Sequence, residues 1–322
     1  MLMNVENRTK VRVKIILMIS IFILILFQFK KIFSDFDIHT FYTYEDKLSF
    51  IRLSIIAILG LLSYLPMSLY DFIIKDTCNI SLNNKELYKS SFIASSISSI
   101  IGFGGTAAIA LKSYFYSPYI KDKTVLVKEI SKVVLLNFTG FSVICCIYYI
   151  LDVKSINNIG IVGLGILLSA LYAPILIIYN LSRYRNKKKR DNAIKTIMIM
   201  ILSIFEWIAM ALLLFFILRM LGVNLSLYKI FPIYVTSSAI GIISMMPGGI
   251  GGFDVSFIVG VGSLGINKEE ALLALVLYRI SYYIIPLIVG IALFLYQTKK
   301  KLNKNYFEIM RLGARKIKYK IK

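Results

Sequence analysis

Apolar residues run in blocks along this chain, and the charged residues collect between the blocks. Near-continuous apolar runs cover about Ile15–Phe29, Ile51–Ile74, Val127–Ile150, Ile159–Leu181, Thr196–Leu221 and Ala271–Tyr296. A helix needs roughly 20 apolar residues to cross a bilayer core, so these runs predict six spans. Two further apolar stretches are interrupted by glycine. One, Ser91–Tyr116, breaks at Gly102-Phe103-Gly104-Gly105; the other, after Leu227-Tyr228-Lys229, breaks at Pro247-Gly248-Gly249-Ile250-Gly251-Gly252 and resumes to Leu264. In hydrocarbon every unpaired backbone N–H or C=O costs several kcal/mol, so irregular backbone persists only where it is buried in protein or lines a wet cavity.

The two broken stretches share an order of features. Each opens on Leu-Tyr-Lys (Leu87-Tyr88-Lys89 and Leu227-Tyr228-Lys229), continues through serine-containing apolar sequence to a Gly-Gly break, and is followed by a Lys-containing turn and a full span. This suggests an internal duplication with halves near 87–150 and 227–297. Charge gives it a direction. The loop with Arg183, Arg185, Lys187, Lys188, Lys189, Arg190 and Lys195, and the tail 299–322 with its many Lys and Arg, are both expected on the cytoplasmic side. Counting spans from these markers, with Arg8–Lys14 ahead of the first run, places both termini in the cytoplasm. The stretch 90–126 then enters and leaves from inside, and 228–269 from outside. The fold expected is all-α and polytopic, with two re-entrant segments forming an inverted repeat whose breaks meet near the midplane. The alternative is that each broken stretch is a pair of short full spans.

Composition supports the membrane class: 58% of the 322 residues are hydrophobic and 17% charged, against about half and a quarter in soluble domains. The net charge of +21 lies mainly in membrane-flanking segments and the tail. It therefore reads as an orientation signal and a contact with anionic lipid, not with nucleic acid. Residues 1–298 are read as the membrane domain. In the tail, Leu302, Tyr306, Ile309, Ile317 and Ile321 among the basic residues suggest an amphipathic surface helix. Three cysteines and a single histidine make no metal motif, and no phosphate-binding loop ending in Gly-Lys-Ser/Thr is present. Neither a metal nor a cofactor is expected.

The remaining signal is ionisable residues inside apolar sequence, which are functional candidates by default. Glu206 lies roughly 15 Å into its span and Arg279 roughly 12 Å into its own. An unpaired carboxylate at midplane costs about 2.5–3.5 kcal/mol or more. Asp254 follows the second glycine break, Asp71 ends the second span and Lys112 lies past the first break. Helix ends created at Gly104, Gly105, Gly248, Gly249 and Gly251 would present N–H groups to an anion such as phosphate. Arg279 and Lys112 would reinforce it; Asp254, Glu206 and Asp71 would receive an amine or balance the cations. These ten residues form the candidate substrate site, suited to a phospholipid headgroup; no catalytic residue is assigned. The competing readings are structural: an Asp254–Arg279 ion pair, a hydrogen bond from Glu206 to a neighbouring helix, and an interfacial, snorkelling Asp71.

Pro247–Asp254, the helix start Glu269-Glu270-Ala271-Leu272 and the run Tyr278-Arg279-Ile280-Ser281-Tyr282-Tyr283-Ile284-Ile285-Pro286 resemble the bacterial lysylphosphatidylglycerol synthase transmembrane family, the flippase domain of multiple peptide resistance factors. Leu65–Asp71 and Ile101–Gly105 are similar to its earlier segments. Asp254 stands where Glu is frequent there, and Lys112 where Arg is expected. The resemblance implies a cell-membrane protein that moves aminoacylated phosphatidylglycerol to the outer leaflet, so that cationic antimicrobial peptides are repelled. Family members also carry a soluble aminoacyl-transferase domain. The sequence ends at Lys322 without one, so lysyl transfer from tRNA is not expected from these residues alone. A separate synthase is an implied partner, and homo-oligomers are compatible. The alternatives are a membrane component of a phosphatidylglycerol lysyltransferase and a non-transporting scaffold for a synthase.

Overall fold

A computed structural model describes residues 48–101, 105–152, 160–185, 189–244 and 246–299. The expected first span, the tail beyond Lys299, Gly104 and the centre of the basic loop lie outside the described residues. Those described are helical: α1 (Phe50–Ser63), α2 (Leu65–Cys78), α3 (Asn84–Ile101), α4 (Thr106–Tyr116), α5 (Lys123–Leu151), α6 (Gly160–Tyr184), α7 (Arg190–Met220), α8 (Leu227–Ile243), α9 (Gly252–Gly262) and α10 (Lys268–Arg279). α10 passes through a π-turn, Ile280–Ile284, into a helix that runs to Lys299. The protein is an all-α polytopic membrane protein. Five helical stretches among the described residues are long and apolar enough to cross: Phe50–Cys78, α5, α6, α7 and Lys268–Lys299.

Local sequence explains where elements begin and bend. Pro66 in the first turn of α2 cannot donate to the preceding turn, so the first described span breaks at Tyr64 between α1 and α2. Asn79 ends α2 in a left-handed conformation (φ 51°). Asp122 caps α5 by accepting hydrogen bonds from the N–H groups of Thr124 and Val125.

Side-chain contacts fix the directions of the long helices. Arg52 donates to Met220 O, Ser63 to Ala209 O and Tyr70 to Glu206, and Lys195 pairs with Asp76, so α1–α2 runs antiparallel to α7. α5 runs parallel to α7, with Asn137 against Ser203 and Phe141 against Trp207, and α6 is antiparallel to both, with Ala170 at Ser142 and Asn180 at Ala193. The last span is antiparallel to α3: Gln297 bonds to Glu86, and Gly290 lies against Ser96. The ends of α2, α6 and the last span, and the starts of α3, α5 and α7, therefore share one face. The starts of α1 and α10 and the ends of α5 and α7 share the other.

Both glycine-broken stretches are helical hairpins. Ser81 N–H donates to Tyr119 O at 3.2 Å, closing the mouth of the α3–α4 hairpin at the first face. In the α8–α9 hairpin Gly241 abuts Phe253 and Gly260 abuts Ile233, an antiparallel register, and its mouth is at the second face. α4 and α9 have 11 residues each, a length of roughly 16 Å that is too short to cross a bilayer. Serines 90, 91, 95, 96 and 98 of α3 are buried. Such small side chains let neighbouring helices approach closely.

Candidate functional site

The site begins with the backbone between α8 and α9. Gly248, Gly249 and Gly251 have φ of 62°, 68° and 90°, a left-handed region disfavoured for residues with a Cβ. Three glycines in four residues make this reversal possible. They bring Asp254, in the first turn of α9, back to its own helix end, where Oδ2 accepts the Gly251 N–H at 2.8 Å. The N-terminus of α9, expected to be open to an anion, thus holds the protein's own carboxylate, because an acid at the third helical position reaches the free N–H groups.

Arg279 meets the same acid from α10. Its Nε and Nη2 lie 3.1 and 2.6 Å from Asp254 Oδ1, Nη1 donates to Gly248 O at 3.4 Å, and the guanidinium sits 5.8 Å from the centre of the Tyr283 ring. The ion pair foreseen as a competing reading is present, and it is also part of a wall. A cavity of about 760 Å³ is lined by Gly248, Gly249 and Arg279 on one side, Thr106 of the α3–α4 hairpin on another, and Trp207 and Tyr234 between them. That volume falls within the roughly 300–1,000 Å³ typical of small-molecule sites. Parts of both broken stretches therefore border one chamber.

The other expected cation does not join it. Lys112 Nζ lies 2.8 Å from Asp71 Oδ1, and Tyr116 donates to Asp71 Oδ2 at 2.6 Å; all three are buried. This cluster ties α4 to α2 and forms no part of the cavity lining. Gly105 (φ 87°) packs on α5, where an added Cβ would lie 2.3 Å from Val134 Cγ1. Glu206 forms a third group. Tyr70 OH and Asn137 Nδ2 both donate to its Oε2 at 2.7 Å, while the Asn137 carbonyl accepts from Ser203 and Trp207. Three spans meet there.

Of the ten expected site residues, Gly248, Gly249 and Arg279 line the chamber, and Asp254 and Gly251 stand directly behind them. Asp71 with Lys112, and Glu206, form separate clusters. Tyr70, Tyr116 and Asn137 were missed: a neutral polar side chain in apolar sequence is no outlier, and only their contacts reveal them.

The described residues thus define a polytopic helical membrane protein in which two helical hairpins border one largely apolar cavity with a buried Arg279 in its lining. Its residues 13–290 match the family described as the lysylphosphatidylglycerol synthase TM region, and the chain belongs to that family. It is similar to the phosphatidylglycerol lysyltransferase of Bacillus subtilis (strain 168), with 29% identity over 86% of this chain and 33% of that protein. It is also similar to those of Staphylococcus haemolyticus (strain JCSC1435; 30% identity, 75% of this chain and 29% of that protein) and Staphylococcus aureus (strain MRSA252; 28%, 90% and 35%). The chain thus spans about a third of the length of these curated relatives.

Proposed function

We propose that this chain is a lipid flippase, moving phosphatidylglycerol, its aminoacylated form or a related phospholipid from the inner to the outer leaflet of the bacterial cell membrane. The observation that carries this reading is the chamber of about 760 Å³ bordered by both hairpins. Hairpins with mouths on opposite faces and a shared chamber are what an inverted repeat with alternating access requires. The phosphatidylglycerol in the relatives' names supports a lipid substrate. Among the described residues of the lining Arg279 is the charged group, and a guanidinium binds phosphate with two parallel hydrogen bonds. An entering phosphodiester would take over N–H groups now directed at Asp254, while Asp254 keeps the Gly251 N–H. The aromatic walls would accommodate the glycerol and the start of the acyl chains.

Charge supports the orientation. At the first face Lys75, Lys85, Lys89, Lys121, Lys123, Arg183, Arg185, Lys189, Arg190 and Lys195 outnumber Asp76, Glu86, Asp122 and Asp191, whereas at the second Arg52, Arg219, Lys229 and Lys268 nearly match Asp152, Glu269 and Glu270. The first face is then cytoplasmic.

Leaflet-specific labelling of aminoacyl lipid in cells tests the function. Asp254→Ala and Arg279→Ala should each lower the outer-leaflet fraction to background at normal protein level, and an unchanged fraction would refute the assignment. Cysteines placed at the exposed positions Lys121 and Lys268 should label from opposite sides; labelling from one side would reject the orientation. Lysyl-lipid formed by the purified chain from charged tRNA would favour the lysyltransferase reading instead.

A further inference from the structure

Three acids lie among the spans and hairpins, and two of them hold a cation. Lys112 is 2.8 Å from Asp71 and Arg279 is 2.6 Å from Asp254. Glu206, only 4% exposed, has no ion-pair partner among the described residues. Its hydrogen-bond donors, Tyr70 and Asn137, are neutral. We propose that Glu206 is a proton-binding site, reached from the first face through a seam of buried hydroxyls, and that its protonation is coupled to lipid movement; the coupling rests on the flippase reading.

The choice among the three acids follows from what each would leave behind. A proton on Asp71 would strand the Lys112 ammonium in the interior, and one on Asp254 would strand Arg279. The cost is greater at Asp71, which is fully buried, than at the partly exposed Asp254, but in both cases an ion pair is broken. A proton on Glu206 strands nothing: Tyr70 and Asn137 can donate to either form of the carboxyl. Glu206 can therefore change the charge of the interior by one unit without dismantling an ion pair. The groups around it are few. Tyr70 faces it from α2, Tyr64 from the kink beside α1, Asn137 from α5, Tyr234 from α8 and Tyr282 from the last span; Lys112 of α4 is the cation whose field reaches it. α6 meets α7 through Asn180 at Ala193 O, roughly 20 Å along the helix from Glu206.

The access route rests on a second observation. The hydroxyls of Ser68, Ser95 and Ser113 are buried and have no protein partner, a situation ordinarily satisfied by internal water. Ser68 lies one turn before Asp71, Ser113 follows Lys112, and Ser95 lies one turn beyond Ser91, whose hydroxyl donates to Ser68 O. The proposed route runs along these hydroxyls and the Tyr116–Asp71 hydrogen bond from the mouth of the α3–α4 hairpin to Tyr70, the chain neighbour of Asp71 and donor to Glu206. The step is proton addition alone. A hydronium ion at the first face gives up its proton through the seam to a Glu206 oxygen and becomes water, and no other covalent bond changes.

Infrared difference spectroscopy on the full chain in phosphatidylglycerol nanodiscs reads proton binding apart from transport. A carboxylic-acid C=O band should vanish as pH is raised in the wild type and be missing in Glu206→Gln; a band retained in that variant, or no titrating band, overturns the site. Tyr70→Phe, which removes the hydrogen bond to Glu206 and the one accepted from Asn137, should shift the midpoint of the band, and an unmoved midpoint also counts against it. In proteoliposomes, an imposed pH gradient should change the rate of fluorescent phosphatidylglycerol translocation several-fold for the wild type. An equal gradient response in Glu206→Gln overturns the coupling. A titrating band lost in Glu206→Gln, with no lipid movement under any condition, upholds the proton site and removes the flippase reading.

Discussion

The two hairpins solve the same electrostatic problem in different ways. In the α3–α4 hairpin, Lys112 and Tyr116 saturate both oxygens of an Asp71 that is 0% exposed. In the α8–α9 hairpin, Arg279 reaches one oxygen of Asp254 and backbone the other, and the Asp254 side chain keeps 21% exposure behind the wall of the chamber. The first arrangement is buried and stands apart from the chamber lining. The second has a guanidinium in the lining of the chamber, and its acid is partly exposed. An acid–base pair marks a place where charge had to be neutralised; its exposure and spare hydrogen bonds decide whether it fastens helices together or also meets a ligand.

This contrast can be tested in order of effect. Lys112→Ala leaves Asp71 charged and buried with Tyr116 as its remaining donor. It should lower stability by about 3–5 kcal/mol, seen as loss of folded protein in detergent melting. Arg279→Ala should cost less, about 1–2 kcal/mol, because Asp254 keeps the Gly251 N–H and borders a chamber that water can enter. Melting both variants in parallel checks the order; a larger loss for Arg279→Ala would reverse the assignment of lock and wall. Gly248→Ala should cost about 1 kcal/mol from the left-handed backbone alone. An added Cβ would sit in ordinary van der Waals contact, 3.7 Å from Arg279 Nη1 and from Tyr283 Cε1. A melting loss several times larger would mean that the reversal, and not the ion pair, holds the wall.

Much of this was legible in the sequence because the hydrocarbon environment makes exceptions visible. Pro66 announced the break at Tyr64, and the glycine runs announced the two hairpins. A lone Arg279 deep in a span demanded an acid, and Asp254 was near in sequence. The partner of Lys112 was not readable in the same way. Asp71, Glu206 and Asp254 were all available, and only the α3–α4 packing selects Asp71. Nor did the sequence announce the π-turn at Ile280–Ile284, since Ile-Ser-Tyr-Tyr-Ile is unexceptional in an ordinary helix. At that turn Gly60 packs so closely that an added Cβ would lie 2.3 Å from Ser281 O, a constraint set between spans far apart in the chain.

The short second helices have a consequence for how the protein is made. At roughly 16 Å neither α4 nor α9 can be threaded into a bilayer as an independent span. Each hairpin must wait beside finished helices until a later one closes over it. Asp254 emerges from the ribosome 25 residues before Arg279, an interval on the order of seconds at typical synthesis rates. During it, the acid has the helix end of α9 as its local partner. The Gly251 N–H that later helps shape the chamber wall is thus also a temporary shelter, holding a charge at the membrane until the last span brings its cation.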